Sequence, residues 1–189
     1  MLILASASPR RLELLARIGV TPGAVVPAAI DETPRKAELP RLYVERMASE
    51  KAHAVAAAHS GEIILAADTV VVAGRRILPK AEDETTALAC LELLSGRRHR
   101  VLTAVSVIDA TGKHRQRLTD TIVTFKPLTA AERAAYLASN EWQGKAGGYA
   151  IQGRAEGFVR YLAGSYSGVV GLPLFETRNL LLSAGVPLG

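Results

Sequence analysis

The chain reads as an α/β protein, a mixed β-sheet flanked by helices, and three observations predict this. An apolar run at 2–5 leads straight into a helix start, and strands and helices alternate to about residue 94. Residues 63–72 form a near-continuous apolar stretch, the mark of a strand covered on both faces. Two long β-like segments, 99–109 and 114–125, are joined by Ala110-Thr-Gly-Lys113 and read as a hairpin, which adds antiparallel pairing.

Each element has its own signal. Strand 2–5 is followed by a loop and a helix over 9–18, stopped by Gly19; Ser8 suits its N-cap and Pro9 its first turn. A strand near Val25 and Val26 precedes a Pro- and charge-rich loop through Asp31-Glu-Thr-Pro-Arg35. Helix 40–58 opens at Pro40, with Leu42, Met47, Ala48, Lys51, Ala52 and Val55 on its inner side. Strand 63–72 turns at Ala73-Gly74 into 76–78, and helix 83–94 ends at Ser95-Gly96. After the hairpin, Thr129-Ala-Ala-Glu132 is a capping box for a helix to about Ala138. A glycine-rich loop at 144–148, a strand at 158–162 and a helix from about Pro173 to Ser183 complete the chain. No repeat, low-complexity tract or linker interrupts it, so 1–189 is expected to form a single domain.

Composition excludes several classes. Hydrophobic residues at 49% and charged ones at 22% are ordinary for a globular protein. The apolar stretches break within about ten residues, short of the roughly 20 that a membrane span needs, and the first residues lack the order of a signal peptide. Cys90, the single cysteine, excludes an internal disulfide and fits a reducing compartment; the cytoplasm is the expected address. It falls in the apolar pattern of Ala87, Leu88, Leu91 and Leu94, as a core residue rather than a nucleophile. The net charge of +5 suits a polyanionic partner, but only Arg97-Arg98-His99-Arg100 forms a basic run. With aromatics at 5% there is little on which to stack bases, so nucleic acid is disfavoured.

The decapeptide from Leu2 to Arg11 carries the first chemical hint. Small residues Ser6-Ala-Ser8 end the strand, and Arg10 and Arg11 occupy the first turn of a helix, where the macrodipole disfavours cations. An anion held between the arginines and the backbone N–H groups resolves the conflict, and a di- or triphosphate would fit. The alternative is a solvated helix start whose arginines pair with nearby acids.

Asp68 interrupts a strand that otherwise reads as buried, where a carboxylate costs several kcal/mol unless it is paired or bound to metal. Thr69 points to the opposite face if the strand is regular, or beside a ligand if it bulges. Lys51 lies in the apolar stripe of its helix and must find an anion or snorkel outward. Lys80 follows Leu78-Pro79 at the end of the turn from Asp68; either lysine is a candidate phosphate ligand or a solvated cation. Lys145-Ala-Gly-Gly-Tyr-Ala-Ile-Gln-Gly153 joins a cation, small residues and the amide of Gln152. That amide offers a donor and an acceptor, which match the O4 and N3–H edge of uracil or thymine; the alternative is a glycine-rich turn whose amide bonds the backbone. None of the four histidines has metal-ligand spacing.

Taken in order, Ser6-Ala-Ser-Pro-Arg-Arg11, Arg46-x4-Lys51-Ala52, Ala67-Asp-Thr69, Leu78-Pro-Lys80, Ser95-Gly-x2-His99-x-Val101-x-Thr103, Lys145 to Gly153 and Val170-Gly-Leu-Pro173 resemble the Maf family of nucleoside triphosphate pyrophosphatases over nearly the whole chain. The resemblance implies a mixed α/β fold related to inosine triphosphate pyrophosphatases, with two lobes around a nucleotide cleft, and it allows a homodimer. It implies hydrolysis of a nucleoside triphosphate to monophosphate and pyrophosphate with a divalent cation, Mg²⁺ or Mn²⁺. By position, Asp68 matches the family's catalytic acid, the proton acceptor for the attacking water, and Arg10, Thr69 and Gln152 match positions of substrate choice. Arg11, Lys51 and Lys80, joined by Ser8 and Lys145, form the expected phosphate-binding set, with Glu32 beside Asp68 as a metal ligand. Gln at 152 resembles the branch acting on dTTP and UTP, whereas Glu marks the branch acting on 7-methyl-GTP. The rivals are the same reaction on 7-methyl-GTP or other modified nucleotides, and a non-catalytic nucleotide- or nucleic-acid-binding regulator of cell division.

Overall fold

The computed structural model describes residues 1–188 and centres on a seven-stranded mixed sheet. In chain order the elements are β1 (Leu2–Leu4), α1 (Pro9–Arg17), β2 (Ala24–Val25), α2 (Pro40–Ala58), β3 (Ile63–Ala73), β4 (Arg76–Leu78), β5 (Lys80–Ala81) and α3 (Glu84–Leu94). There follow β6 (Arg98–Ile108), β7 (His114–Phe125), α4 (Ala130–Leu137), β8 (Lys145–Ala146), a 3-10 turn (Arg154–Phe158), β9 (Val159–Ala163), α5 (Tyr166–Val170) and α6 (Leu174–Ser183). The sheet order is β2-β1-β3-β6-β7-β9, with β4 also on β3. β1 is parallel to β2 and β3, as helical crossovers through α1 and α2 require, and the remaining pairs are antiparallel.

The alternation of β3 sorts the core onto two faces. Ile64, Ala66, Val70 and Val72 meet α2, which presents Tyr43, Val44, Met47, Ala48, Ala52 and Val55. Leu65, Ala67 and Val71 meet the opposite layer, where Leu14, Leu15, Leu91, Leu94, Tyr136, Leu180 and Leu181 of α1, α3, α4 and α6 converge. Each leucine buried there contributes about 2 kcal/mol by leaving water.

The inner face of α2 differs from expectation at one end. Leu42 is exposed and Tyr43 and Val44 are buried instead, because Leu42 lies about 140° round the helix from Met47. Ser8 occupies the N-cap position of α1 without a side-chain cap; its own N–H takes the Ser6 hydroxyl as acceptor at 3.2 Å. Three elements had no sequence expectation: the β5–β8 ribbon, the 3-10 turn and α5. Strands of two residues are too short to show a period.

One detail of the sheet creates the site. On the side of β3 away from β6, pairing with β1 ends at Leu65 and pairing with β4 begins at Val71. Among the described residues, 66–70 are paired to β6 alone, in unbroken register from Ile64 to Val72. The sheet therefore has a notch at Asp68 and Thr69.

Candidate functional site

A cavity of about 410 Å³ opens into this notch. Ser8, Arg10 and Arg11 from the start of α1, Lys51 from α2, Asp68 and Thr69 from β3, Lys80 from β5, and Lys145 and Gln152 from the glycine-rich segment all line it. The regular register puts Asp68 and Thr69 on opposite faces of the sheet, without a bulge. Both still reach one cavity, because the notch leaves the strand's edge open from either side.

Asp68 is 7% exposed on the face covered by α2. Its Oδ1 accepts a hydrogen bond from Lys51 Nζ at 2.7 Å, and Glu32 Oε1 approaches the same ammonium at 2.9 Å. Lys51 thus does not snorkel outward: two carboxylates converge on it. Glu32 also meets Lys80 at 3.4 Å. Burial works to raise the Glu32 carboxyl, but hydrogen bonding and charge pairing with Lys51 and Lys80 prevail and hold it below its ordinary value.

Glu32 sits in a segment without regular secondary structure, so something must fix it there. Tyr43 donates to the Glu32 carbonyl at 2.8 Å. Burial, then the charges of Asp68 and Glu32, push this phenol up to about 12, so it remains a donor. Arg46 grips Glu38 through two nitrogens at 2.7 Å each and also reaches Thr33's carbonyl at 3.2 Å. α2 therefore carries both the ammonium between the carboxylates and the clamps on the loop that supplies one of them.

The arginines are held differently. Arg11 Nε donates to the Gly171 carbonyl at 2.9 Å and Nη1 to the Ser6 hydroxyl at 2.9 Å, which fixes its fork at the cavity wall. Burial lowers its guanidinium, with Asp68 opposing and the Arg10 charge adding to the effect. Burial also lowers Arg10, and burial followed by Arg10's charge lowers Lys145. Burial is the leading cause of each depression; Arg10, Arg11, Lys51, Lys80 and Lys145 line the cavity with Asp68, and Glu32 reaches it through two of them. The cavity carries excess positive charge that a bound polyanion would neutralise.

The far wall is the glycine-rich segment. Gly147 and Gly148 have φ of +66° and +69°, and a Cβ on Gly147 would stand 2.8 Å from Val71 Cγ1. Only glycine lets the turn press on β3. The ribbon β5–β8 pairs Lys80 with Ala146, and Gly147 N–H donates to the Pro79 carbonyl at 3.0 Å. This ties Lys80 to the segment ending in Gln152, whose amide is exposed at the cavity.

A family model described as Maf-like protein matches residues 1–184. The chain belongs to the Maf family. This Maf chain is 65% identical over 187 residues to a dTTP/UTP pyrophosphatase of Zymomonas mobilis, spanning 99% of the chain and 93% of that relative. It is 61% identical to one of Novosphingobium aromaticivorans, over 98% of the chain and 92% of the relative. A solved nucleoside-triphosphatase / dITP/XTP pyrophosphatase from Mycobacterium abscessus overlaps 68% of the chain and 74% of its own, at 18% identity and TM-score 0.45.

The structure of this Maf chain brings every candidate into one place, with Glu32 reaching it through Lys51 and Lys80. Sequence reasoning assigned no role to Ser6 and Gly171, which aim Arg11, nor to Tyr43 and Arg46, which hold the loop of Glu32. Ser6, Arg46 and Gly171 did fall within the motifs, and that was the only available signal.

Proposed function

We propose that this Maf chain hydrolyses dTTP and UTP between the α- and β-phosphates, giving the nucleoside monophosphate and pyrophosphate. One observation carries the reading: a carboxylate on an open strand edge faces a cavity with five cations, large enough for a nucleotide. The pyrimidine preference is supported by the names of relatives about 60% identical and by the amide at 152.

In this mechanism Arg10, Arg11, Lys80 and Lys145 bind the triphosphate and stabilise the leaving pyrophosphate. The pinned fork of Arg11 lowers the entropy lost when phosphate binds. Asp68 accepts the proton of the attacking water, and Lys51 orients its carboxylate. Gln152 pairs with the O4 and N3–H edge of the base, with Thr69 and Arg10 shaping the approach.

Asp68 and Glu32 fit a divalent cation. Both are hard oxygen donors brought together by Lys51 Nζ, which lies 2.7 Å from Asp68 and 2.9 Å from Glu32, and no histidine or cysteine lies among them. Two carboxylates would leave the rest of a Mg²⁺ or Mn²⁺ shell to phosphate and water. When bound, the cation supplies phosphate polarisation and a more acidic water. Among the described residues no helix is long and apolar enough to cross a membrane. We infer a cytoplasmic setting from the single cysteine, Cys90, which is free and fits a reducing compartment.

The test is hydrolysis of dTTP, UTP, 5-methyl-UTP, CTP, ITP, GTP and 7-methyl-GTP with Mg²⁺ or Mn²⁺, with and without chelator. Monophosphate and pyrophosphate from dTTP and UTP is the expected result. The same products mainly from 7-methyl-GTP would overturn the substrate, and no turnover of any triphosphate would overturn the reaction.

A further inference from the structure

Tyr149 lines the cavity, and its hydroxyl belongs to a polar pair that the mechanism does not use. His99 of β6, only 2% exposed, places Nε2 2.9 Å from the hydroxyl of Tyr149, itself 5% exposed. Phe125 closes the group edge-on, with ring centroids 5.1 Å from His99 and 4.9 Å from Tyr149. The next residue is pinned as well: Ala150 N–H donates to the Tyr136 hydroxyl of α4 at 3.0 Å. Two buried side chains from separate elements thus fix positions 149 and 150, immediately after the Gly147-Gly148 turn and two residues before Gln152.

We propose that His99 is a positioning residue for base recognition: it holds Tyr149, and through it the segment that presents Gln152 to the cavity. An apolar contact at this place would fill the same volume but tolerate sliding, whereas a hydrogen bond within a dry aromatic cage admits one placement of the phenol. Burial keeps the imidazole neutral and the phenol protonated, so each stays in the form the bond needs. Among the described residues His99 Nδ1 has no hydrogen-bond partner, and the single bond between Nε2 and the phenol takes its direction from the imidazole tautomer. The inference rests on Gln152 reading the base.

The test compares Gln152→Ala with Tyr149→Phe and with the double variant His99→Phe/Tyr149→Phe, measuring kcat and KM for dTTP and GTP together with thermal stability. The double variant removes both polar partners, so the cage is apolar and no buried group is orphaned. Its melting temperature is expected to stay at or above that of Tyr149→Phe. Its KM for dTTP is expected to rise about tenfold and its preference for dTTP over GTP to fall, with kcat affected least, as a misplaced recognition group implies. If the double variant recovers both stability and base preference, the pair is structural alone and the proposal fails while the Gln152 reading stands. If Gln152→Ala leaves base preference intact, the Gln152 reading fails and takes the proposal with it.

Discussion

Replacing Asp68 by Asn separates chemistry from folding, because the amide keeps the carboxylate's shape and loses its charge. In the native protein Lys51 Nζ has Asp68 at 2.7 Å and Glu32 at 2.9 Å. Removing one partner of a buried ion pair outright costs about 3–5 kcal/mol, since the other charge is stranded. Here the ammonium keeps Glu32, whose side chain is 40% exposed and partly hydrated, so the cost falls to about 1–2 kcal/mol. For a chain of this size that lowers Tm by about 3–6 °C and leaves the protein folded at 25 °C. Loss of the proton acceptor should reduce turnover by about 10²–10⁴-fold. Pyrophosphate release from dTTP and thermal unfolding followed by circular dichroism measure the two effects separately. Turnover within tenfold of the native value, at the expected Tm, would refute the role given to Asp68.

Four further outcomes are expected. Lys51→Met strands the buried Asp68 carboxylate and should cost about 3 kcal/mol, a Tm fall of roughly 6–12 °C; a shift below about 2 °C would mean the pair is hydrated. Gly147→Ala forces a Cβ to 2.8 Å from Val71 Cγ1 at φ +66°, and should cost about 2 kcal/mol and raise KM; an unchanged melt and KM would contradict the close approach of this turn to β3. Burial lowers His99 from 6.5 to about 4, so between these values the unfolded chain binds more protons. Stability is whole above about pH 6.5 and lost as pH falls towards 4, by about 3 kcal/mol, and His99→Phe should flatten that limb in denaturant titrations. Gln152→Glu should move preference from dTTP towards 7-methyl-GTP, whose edge offers N–H donors to a carboxylate; an unchanged profile across the nucleotide panel would count against base reading at this position.

Much of this site was legible because its residues break local rules. Asp68 interrupts an apolar strand, Lys51 falls in an apolar stripe, and two arginines begin a helix; each conflict names a residue whose partner lies elsewhere. The fold was legible where periods were long, in α2, β3 and the β6–β7 hairpin. Leu42 was misplaced because a helix start leaves the phase of its stripe poorly defined, and Tyr43, at its true edge, has a polar tip. The notch at 66–70 had no sequence signal at all, since it arises from where two neighbouring strands stop. The unbroken register with β6 settles the orientation of Thr69, which the strand's own residues left between two geometries. The β5–β8 ribbon escaped notice because pairing between two-residue strands 65 positions apart is a tertiary event.

That ribbon has a consequence for turnover. Lys80 and the segment leading to Gln152 belong to one hydrogen-bonded unit, so the grips proposed for the phosphate tail and for the base would form a caliper of set opening rather than two independent sites. With the proposed roles, an intact triphosphate would span both jaws, and the second engagement would be intramolecular, adding affinity without new contacts. Once the α–β bond is cut, pyrophosphate would touch one jaw and the nucleotide the other, and that advantage would vanish for both. Product release follows from the length of the molecule that is left.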